Sequence, residues 1–149
     1  MTYIEEQRDL FSLPTDYILV QCVSSDLKMG AGIARVFRDK YNITEQSMSY
    51  NKKYKTWISK GYCMFAQDTY CPWTVANLVT KKRYFEKPTY ATLRDALTDL
   101  KESVDMSGIQ KVGMPLIGCG LDGLDWYKVS AIIKETFADT DVEIKVCRL

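Results

Sequence analysis

The sequence predicts an α/β domain whose central sheet is mostly parallel and covered by helices on both faces. Six short apolar runs alternate with helical patterns along the chain, an order that is typical of parallel sheets. Several runs are apolar at consecutive positions, as in strands that are buried on both faces. The length of 149 residues suits one domain, so we expect a single domain over residues 1–149.

The predicted strands are short β-rich runs bounded by polar residues, glycine or proline. In chain order they read TYIE (2–5), YILVQCV (17–23), YCMFAQ (62–67), TVANLVT (74–80), KVGMPLI (111–117) and VEIKVCRL (142–149).

Apolar residues at helical spacing predict three helices between these strands. The patterns comprise Ile33, Val36, Phe37 and Lys40 in the first helix, Leu93, Ala96, Leu97, Leu100 and Val104 in the second, and Val129, Ile132, Ile133 and Phe137 in the third. Thr89 and Asp125 precede the second and third patterns and are residue types that cap helix N-termini. The polar and aromatic segment 41–61 is expected to form a further helix and a surface connection, with its basic residues in solvent.

Composition excludes several function classes. The chain has 20 basic and 19 acidic residues and a net charge of +1, so it has no overall charge that would attract nucleic acid or an anionic membrane. An anionic ligand must therefore be bound by local groups. The sequence contains no histidine, which excludes Ser-His-Asp triads, Cys-His pairs and the usual catalytic metal sites.

The cysteines and the N-terminal sequence indicate a soluble intracellular protein. The five cysteines are scattered and never spaced as C-x-x-C, so we expect neither a disulfide framework nor a structural zinc site. The start MTYIEEQRDLF has no apolar signal core, and no apolar run reaches the length of about 18 residues that a membrane span needs. We expect a cytoplasmic or nuclear monomer that does not bind membranes.

Two glycine-rich loops each follow an apolar run and lead into a helical pattern. The first lies in SSDLKMGAGIARVF (24–37) and the second in MPLIGCGLDGLDW (114–126). In a parallel sheet such loops lie beyond the carboxyl ends of strands, where helix N-termini present free amides. Because glycine lets the backbone approach a phosphate closely, the two loops together predict a diphosphate site. Taken singly, either loop is equally consistent with a tight strand-to-helix turn.

The second loop also matches the dinucleotide-binding pattern G-x-G-x-x-G, through Gly118, Gly120 and Gly123. That pattern normally opens a nicotinamide-binding fold. Only 26 residues follow Gly123, too few for the rest of such a domain. A P-loop is excluded because no Gly-Lys-Ser or Gly-Lys-Thr sequence follows either loop.

Several short motifs follow one another along the chain. They are RDLF (8–11), MGAGIA (29–34), TKKR (80–83), KPTY (87–90) and MPLIGCGLD (114–122), followed by Trp126. In this order and spacing they resemble the macrodomains, which are α/β/α modules that bind ADP-ribose, and within them the terminal ADP-ribose protein glycohydrolase type. The resemblance covers roughly residues 9–149 and implies a three-layer α/β/α macrodomain with a mixed, mostly parallel central sheet.

The resemblance implies an ADP-ribose cleft at the carboxyl edge of the sheet. Asp9 occupies the place of the family's aspartate that accepts a hydrogen bond from the adenine amino group, next to Leu10, although a turn or helix cap explains Asp9 equally well by itself. Ser24 is expected to contact the distal ribose, with an ordinary turn serine as the alternative. The two loops would enclose the diphosphate and the distal ribose through Met29, Gly30, Ala31, Gly32, Ile33, Ile117, Gly118, Cys119, Gly120 and Leu121.

The resemblance also implies that Lys81 and Asp122 are the catalytic pair. Partial burial or cationic neighbours, here Lys82 and Arg83, help a lysine amine to lose its proton and attack the anomeric carbon or its ring-opened aldehyde. Asp122 would act as general acid and base and orient the ribose hydroxyls. Without the resemblance, Lys81 fits a solvated lysine at a strand end and Asp122 a turn or capping residue.

Other residues near these motifs receive structural interpretations or depart from the family pattern. Cys119 is interpreted as a small buried residue, since no histidine is available to activate it. Trp126 and Tyr90 either line the cleft or pack into the core. Arg8 replaces the family's usual glycine before the aspartate, and Cys147 stands where close relatives have an aromatic residue.

The implied function is hydrolysis of ADP-ribosyl linkages, as a mono-ADP-ribosyl glycohydrolase or O-acyl-ADP-ribose deacylase, without a metal or cofactor. The linkage would join ADP-ribose to an acidic side chain, to an acyl group or to a nucleic-acid base; for the last, a local groove beside Lys81 would suffice. Two alternatives stay open. One is a phosphatase acting on ADP-ribose 1″-phosphate, and the other is a non-catalytic reader of ADP-ribose or of an ADP-ribosylated partner.

Overall fold

Strands and helices alternate along the chain, as the sequence predicts. The computed structural model describes residues 1–48, 57 and 59–149. The described strands are β1 (Thr2–Gln7), β2 (Ile18–Ser24), β3 (Tyr62–Asp68), β4 (Cys71–Lys81), β5 (Lys111–Met114) and β6 (Glu143–Arg148). The described α-helices are α1 (Gly32–Tyr41), α2 (Tyr90–Ser107) and α3 (Trp126–Phe137).

The six strands form one sheet in the order β1-β6-β5-β2-β4-β3. All neighbouring pairs are parallel except β3 and β4, which form an antiparallel hairpin. The expected mixed, mostly parallel sheet is therefore confirmed. Because the carboxyl ends of parallel strands meet at one edge, the loops that follow β1, β2, β4 and β5 all begin there.

Helices cover both faces of the sheet, which confirms the three-layer fold. The helices α2 and α3 pack on one face, and their buried residues there include Leu93, Leu97, Leu100, Val129 and Ile133. The helix α1 covers the other face through Phe37, together with Leu10 and Leu13 from the loop after β1. Alternate residues of β2 enter the two cores, with Val20 in the first and Leu19 in the second, because successive strand side chains point to opposite faces.

The helix α2 is positioned by its N-cap and by a close contact with the sheet. Thr89 accepts a hydrogen bond from the Thr92 N–H at 3.1 Å, and Asp125 caps α3 in the same way, so both predicted caps are confirmed. A Cβ at Gly61, beside β3, would lie 1.9 Å from the Thr92 carbonyl oxygen, so only glycine lets α2 pack this closely. Among the described residues, no helix has both the length and the apolar character to cross a bilayer.

The predicted fifth strand is too long. It was expected to reach Ile117, but β5 ends at Met114. Pro115 has no N–H to donate to a neighbouring strand, and the Ile117 N–H donates to the Pro115 carbonyl oxygen at 2.8 Å. The chain therefore turns away from the sheet and begins the second glycine loop.

The polar segment 41–61 lies only partly within the described residues. Helix α1 ends in it at Tyr41, and Asn42, with a φ of 56°, caps the helix. A single 3-10 turn at Glu45–Ser47 stands where part of a further helix was expected. Residues 49–56 and 58 lie outside the described part of the chain.

Candidate active site

Lys81 and Asp122 form an ion pair at the carboxyl edge of the sheet. Lys81 is the last residue of β4, and Asp122 lies in a 3-10 turn, Gly120–Asp122, after β5. Lys81 Nζ and Asp122 Oδ1 are 2.7 Å apart, and the two side chains are only 13% and 17% exposed. This is the least exposed of the ion pairs among the described residues. An amine and a carboxylate at this distance can exchange a proton directly.

A β-bulge precedes Lys81. Val23 of β2 is in register with Val79 of β4, but the next residue, Ser24, is in register with Lys81. Thr80 is thus the extra residue of β4, and the bulge changes the direction of the strand end. Bulges of this kind often lie beside active sites, where they redirect a side chain. Here the bulge brings the end of β4 next to the start of the first glycine loop, where the Ser25 N–H donates to the Lys81 carbonyl oxygen at 2.9 Å.

The first glycine loop exposes backbone N–H groups at the start of α1. The N-cap of the helix is Ala31, which makes no side-chain hydrogen bond to it, so the first-turn amides can bind an anion. Gly30 is exposed, its φ lies outside the left-handed region, and a Cβ there would meet no described atom within 4 Å. Neither packing nor backbone conformation therefore requires glycine at this position, whereas a ligand that approaches the backbone would.

Two non-glycine residues of the same loop adopt left-handed backbone conformations. Leu27 has a φ of 54° and Met29 a φ of 50°. Such conformations cost about 1–3 kcal/mol each and concentrate at ligand sites. Met29 is buried in the core beneath α1, so its side chain anchors a loop whose following residues, Gly30 to Gly32, are exposed.

The second glycine loop consists of consecutive tight turns. The Cys119 N–H donates to Leu116 O at 3.2 Å, and the Gly123 N–H donates to Gly120 O at 3.0 Å. Gly120 has a φ of 71°, and a Cβ there would meet no described atom within 4 Å, so the exposed backbone is open to a ligand. Lys87, from the loop after β4, donates to the Leu121 carbonyl oxygen. This bond holds the second glycine loop against the loop that begins at Lys81.

Asp26 joins the loops after β2 and β4, and the sequence analysis did not identify it. Its Oδ1 accepts from the Ser24 hydroxyl at 2.5 Å, and its Oδ2 accepts from the Tyr84 N–H at 3.0 Å. Burial opposes ionisation of this carboxyl, but the hydrogen bonds from Ser24, Tyr84 and Lys28 outweigh it and lower its pKa. The sequence Ser-Ser-Asp indicates a local turn, yet no sequence signal identifies Tyr84, 58 residues away, as a partner.

Comparison with known proteins identifies the fold family. The family model described as Macro domain matches residues 20–133, which is more than half of the chain. The chain belongs to the Macro domain family. The macrodomain resemblance and the macrodomain fold are thereby confirmed.

Relatives and solved structures match nearly the whole macrodomain. ADP-ribose glycohydrolase OARD1 from Bos taurus is 40% identical over 149 residues, which cover 100% of this chain and 91% of that protein. The Homo sapiens protein of the same name is 38% identical with the same coverage. The macrodomain of Mycobacterium tuberculosis DarG has a TM-score of 0.79 and 26% identity, covering 98% of this chain and 97% of that one. Thermosipho africanus DarTG in complex with ADP-ribose has a TM-score of 0.75 and 20% identity, covering 99% of this chain and 42% of that one.

Asp9 and Leu10 follow the carboxyl end of β1 in this macrodomain. Asp9 Oδ1 accepts from the Phe11 N–H at 3.0 Å and caps a 3-10 turn, Leu10–Ser12, so the capping interpretation describes part of its role. No described hydrogen bond reaches its Oδ2, and Asp9 is exposed. Arg8, in place of the family glycine, donates from Nε to Ser12 Oγ at 2.8 Å and from Nη2 to Ser12 O at 2.9 Å. Arg8 therefore fixes the turn that carries Asp9.

The predicted adenine and ribose residues lie at different positions along the same edge of the macrodomain sheet. Strand β1, before Asp9, is three positions from β2, before Ser24, which is about 14 Å at strand spacing. Leu10 is buried in the α1-side core, so its backbone is the part that can face a ligand. Cys147, near the end of β6, is buried and lies in register with Glu6.

Ser24 is buried at the carboxyl end of β2, in register with Lys81. It is 4% exposed and donates its hydroxyl proton to Asp26. The Leu27 N–H donates to the Ser24 carbonyl oxygen at 3.0 Å, so the turn interpretation describes its backbone. The hydroxyl oxygen can still accept a hydrogen bond, which keeps a ribose contact chemically reasonable.

The thiols near the site are held in the neutral form. Desolvation by the surrounding protein and the nearby Asp122 carboxylate raise the pKa of Cys22 to about 12. Burial, with the carboxylates of Asp125 and Asp122, also raises the pKa of the Cys119 thiol. A neutral thiol is a poor nucleophile, which agrees with the expectation that Cys119 does not act as one. Cys119 is only partly buried, however, and not buried as expected, because it lies in the surface loop at the edge of the core. Within the described residues, no group of three or more acidic residues or cysteines is placed to hold a metal ion.

Trp126 and Tyr90 have structural roles at the ends of helices. Trp126 Nε1 donates to Glu5 Oε1 at 3.1 Å and ties the start of α3 to β1. The Tyr90 hydroxyl accepts from the Asp125 N–H at 3.0 Å. Both bonds position the end of the second glycine loop, and both rings pack against the core beneath α2 and α3.

Proposed function

We propose that this macrodomain binds ADP-ribose and hydrolyses ADP-ribosyl linkages, with Lys81 as nucleophile and Asp122 as general acid and base. Relatives named ADP-ribose glycohydrolase align with the whole chain at 38% and 40% identity, and this similarity supports a hydrolase that binds ADP-ribose. The observation that carries the residue assignment is the shielded contact of 2.7 Å between Lys81 Nζ and Asp122 Oδ1. The linkage would join ADP-ribose to an acidic side chain, to an acyl group or to a nucleic-acid base.

The ligand would extend along the carboxyl edge of the sheet. The first-turn amides of α1 and the backbone of Gly118 to Leu121 would hold the diphosphate, because Gly30 to Gly32 in the first loop and Gly120 in the second are exposed and have little side-chain cover. The free oxygen of Asp9 would accept a hydrogen bond from the adenine amino group. Ser24 would contact the distal ribose, whose anomeric carbon would then lie near Lys81.

The reaction would proceed in two steps. In the first, the neutral Lys81 amine bonds to the anomeric carbon while the bond to the acceptor oxygen or nitrogen breaks, and the acceptor leaves with the electron pair of that bond. Asp122 takes the proton that the amine loses and gives it to the leaving acceptor. In the second step, water replaces the lysine at the anomeric carbon, giving ADP-ribose and restoring the amine. After the acceptor has left, the ribose ring of the lysine adduct can open to a Schiff base, and water hydrolyses that bond to give the same products.

The Lys81→Ala variant tests this assignment. Its turnover of O-acetyl-ADP-ribose and of an ADP-ribosylated glutamyl peptide is expected to fall by at least about a thousandfold, because the variant lacks the amine that contacts Asp122. Its affinity for free ADP-ribose, measured by calorimetry, should stay within a few fold. Trapping with borohydride should link ADP-ribose to the wild-type protein and not to the variant.

Lys101→Ala is the matched control, since Lys101 also pairs with an aspartate, Asp139, at 3.0 Å, but on the surface of α2. It should retain wild-type turnover. Turnover that survives in Lys81→Ala would exclude the lysine mechanism. Tight binding of ADP-ribose by a wild-type protein without turnover would instead favour the non-catalytic reader.

A further inference from the structure

Two exposed aromatic rings stand beside the catalytic lysine. Tyr84 and Phe85 are 59% and 64% exposed, and their rings meet edge to face with centroids 5.5 Å apart. Single exposed apolar residues are ordinary on a protein surface. Two adjacent rings at the rim of a ligand site form a contact surface of the kind that interfaces use.

The exposure of both rings is set by the backbone. Tyr84 and Phe85 are the central residues of a turn that the Glu86 N–H closes onto the Arg83 carbonyl oxygen at 3.0 Å. The Glu86 side chain accepts from the Arg83 N–H at 2.9 Å and closes the turn a second time. The backbone that carries the two exposed rings is therefore held by two hydrogen bonds.

The same turn is held between the two glycine loops. On one side, Asp26 accepts from the Tyr84 N–H, and the Ser25 hydroxyl donates to the Lys82 carbonyl oxygen at 2.6 Å. On the other side, Lys87 donates to the carbonyl oxygen of Leu121, which is itself 72% exposed. The turn that carries the aromatic pair therefore has a fixed position between the two glycine loops, and it begins two residues after Lys81, at which the group attached to the distal ribose would leave.

The charge around the pair is locally positive. Lys82 and Arg83 are exposed and form no salt bridge with any residue that the structure describes. The chain as a whole has a net charge of only +1. Unpaired cations at the rim attract an acidic segment and orient it toward the site.

We propose that Tyr84 and Phe85, with Lys82 and Arg83 beside them, form a subsite for the acceptor and select polypeptides with acidic side chains next to the ADP-ribosylated residue. This inference rests on the proposed function of the same site. The rings contact the peptide chain on either side of the modified residue, and the two cations pair with the flanking carboxylates. ADP-ribose itself does not touch the pair.

A short acidic peptide fits this rim better than a nucleic-acid strand. A strand needs a row of cations that follows its phosphates, whereas the two exposed cations directly before the aromatic pair are Lys82 and Arg83. A peptide needs only one or two ion pairs and an apolar contact.

The test compares wild type with the double variant Tyr84→Ala/Phe85→Ala. The substrates are a peptide with one ADP-ribosylated glutamate between acidic residues, the same peptide with glutamine flanks, an ADP-ribosylated oligonucleotide, and O-acetyl-ADP-ribose. We expect the variant to raise KM for the acidic peptide about tenfold with little change in kcat, as loss of aromatic interface contacts does. The variant's kcat and KM for O-acetyl-ADP-ribose should stay within about twofold of the wild-type values, since the contacts that bind ADP-ribose are unaltered. Wild type should prefer the acidic peptide, and added salt should reduce this preference.

Tyr70→Ala is the matched control, because Tyr70 is 73% exposed in the turn between β3 and β4 at the opposite edge of the sheet. The Tyr70→Ala variant should have wild-type kinetics with all of these substrates. Equal losses for the peptide and O-acetyl-ADP-ribose would overturn the proposal by placing the pair in the ADP-ribose site. An unchanged KM for the acidic peptide, or a raised KM only for an ADP-ribosylated oligonucleotide, would also overturn it. Peptide affinities measured by fluorescence anisotropy compare wild type with the variant without any turnover. An inactive wild type would contradict the proposed function. These affinities would still show whether the subsite binds acidic peptides.

Discussion

Gly30 shows how a single residue indicates a ligand site. Its conformation is open to any amino acid and its surroundings leave room for a side chain, so protein stability does not explain the glycine. Leu27 and Met29 show the converse, since they hold left-handed conformations that glycine would adopt more readily. The first glycine loop thus combines a residue smaller than the fold requires with two residues under backbone strain.

The Gly30→Ala variant is expected to fold like wild type and to bind ADP-ribose at least about tenfold more weakly. The added methyl group would occupy the space through which a diphosphate reaches the loop backbone. Calorimetry gives the affinity, and a thermal melt without ligand is the control for folding. An unchanged affinity would show that the diphosphate does not lie against Gly30.

The loops after β2, β4 and β5 are joined by hydrogen bonds between side chains and backbone. Asp26 joins the first two, and Lys87 joins the last two through Leu121. Each of these bonds contributes little to the stability of the fold. Together they fix the positions of loops that have no apolar core of their own. The site is therefore rigid where its loops meet, although each loop lies on the surface.

The Asp26→Asn variant tests this connection through its dependence on pH. The folded-state pKa of Asp26 is lowered, so its contribution to stability is present above the unfolded-state pKa, near 3.9, and is lost as pH falls through the folded value. At neutral pH the variant should be less stable by about 1 kcal/mol, because an amide nitrogen cannot accept the Tyr84 N–H. Urea unfolding should show this difference in the free energy of unfolding at neutral pH. Below about pH 3 the difference should be smaller.

Asp141→Asn is the control for that series, since Asp141 is exposed and no described hydrogen bond reaches its carboxylate. It should change stability little at either pH. A stability loss for Asp26→Asn that stays the same in acid would mean that the ionised carboxylate is not what joins the loops.

The strand order of the whole sheet places one site across several distant segments. Because β2 lies between β5 and β4, the loops after these three strands are neighbours, and Lys81 meets a residue 41 positions away. The predicted adenine residues at the end of β1 lie three strands from β2. A ligand along this edge would contact loops from both halves of the chain at once.

Binding of ADP-ribose should therefore stabilise the whole fold. At a ligand concentration of about 100 times Kd, the expected gain is about 2.7 kcal/mol, which raises Tm by about 5–10 °C for a domain of this size. Differential scanning fluorimetry measures the shift. AMP, which lacks the second phosphate and the distal ribose, should give a clearly smaller shift at the same concentration. Equal shifts with both ligands would contradict a diphosphate held by two loops.

Local patterns in the sequence were sufficient to predict the layers of the fold and the two glycine loops. The spacing of apolar residues indicates which side of a strand or helix is buried, and caps such as Thr89 and Asp125 indicate where helices begin. The length of β5 was predicted wrongly, because the apolar Leu116 and Ile117 continue the pattern that Pro115 interrupts. The catalytic pair was predicted from a family resemblance, and spacing alone gave no reason to join Lys81 with Asp122.

The sequence by itself determined the fold class and the residues that are available for chemistry, since burial patterns, glycine and the lack of histidine are local properties of the chain. Only the tertiary structure decided that Lys81 lies 2.7 Å from Asp122, that Asp26 holds Tyr84, and that Tyr84 and Phe85 are exposed beside the site. The physical reason is that these contacts depend on which strands pair. Strand pairing minimises the free energy of the whole sheet, and no single segment encodes it.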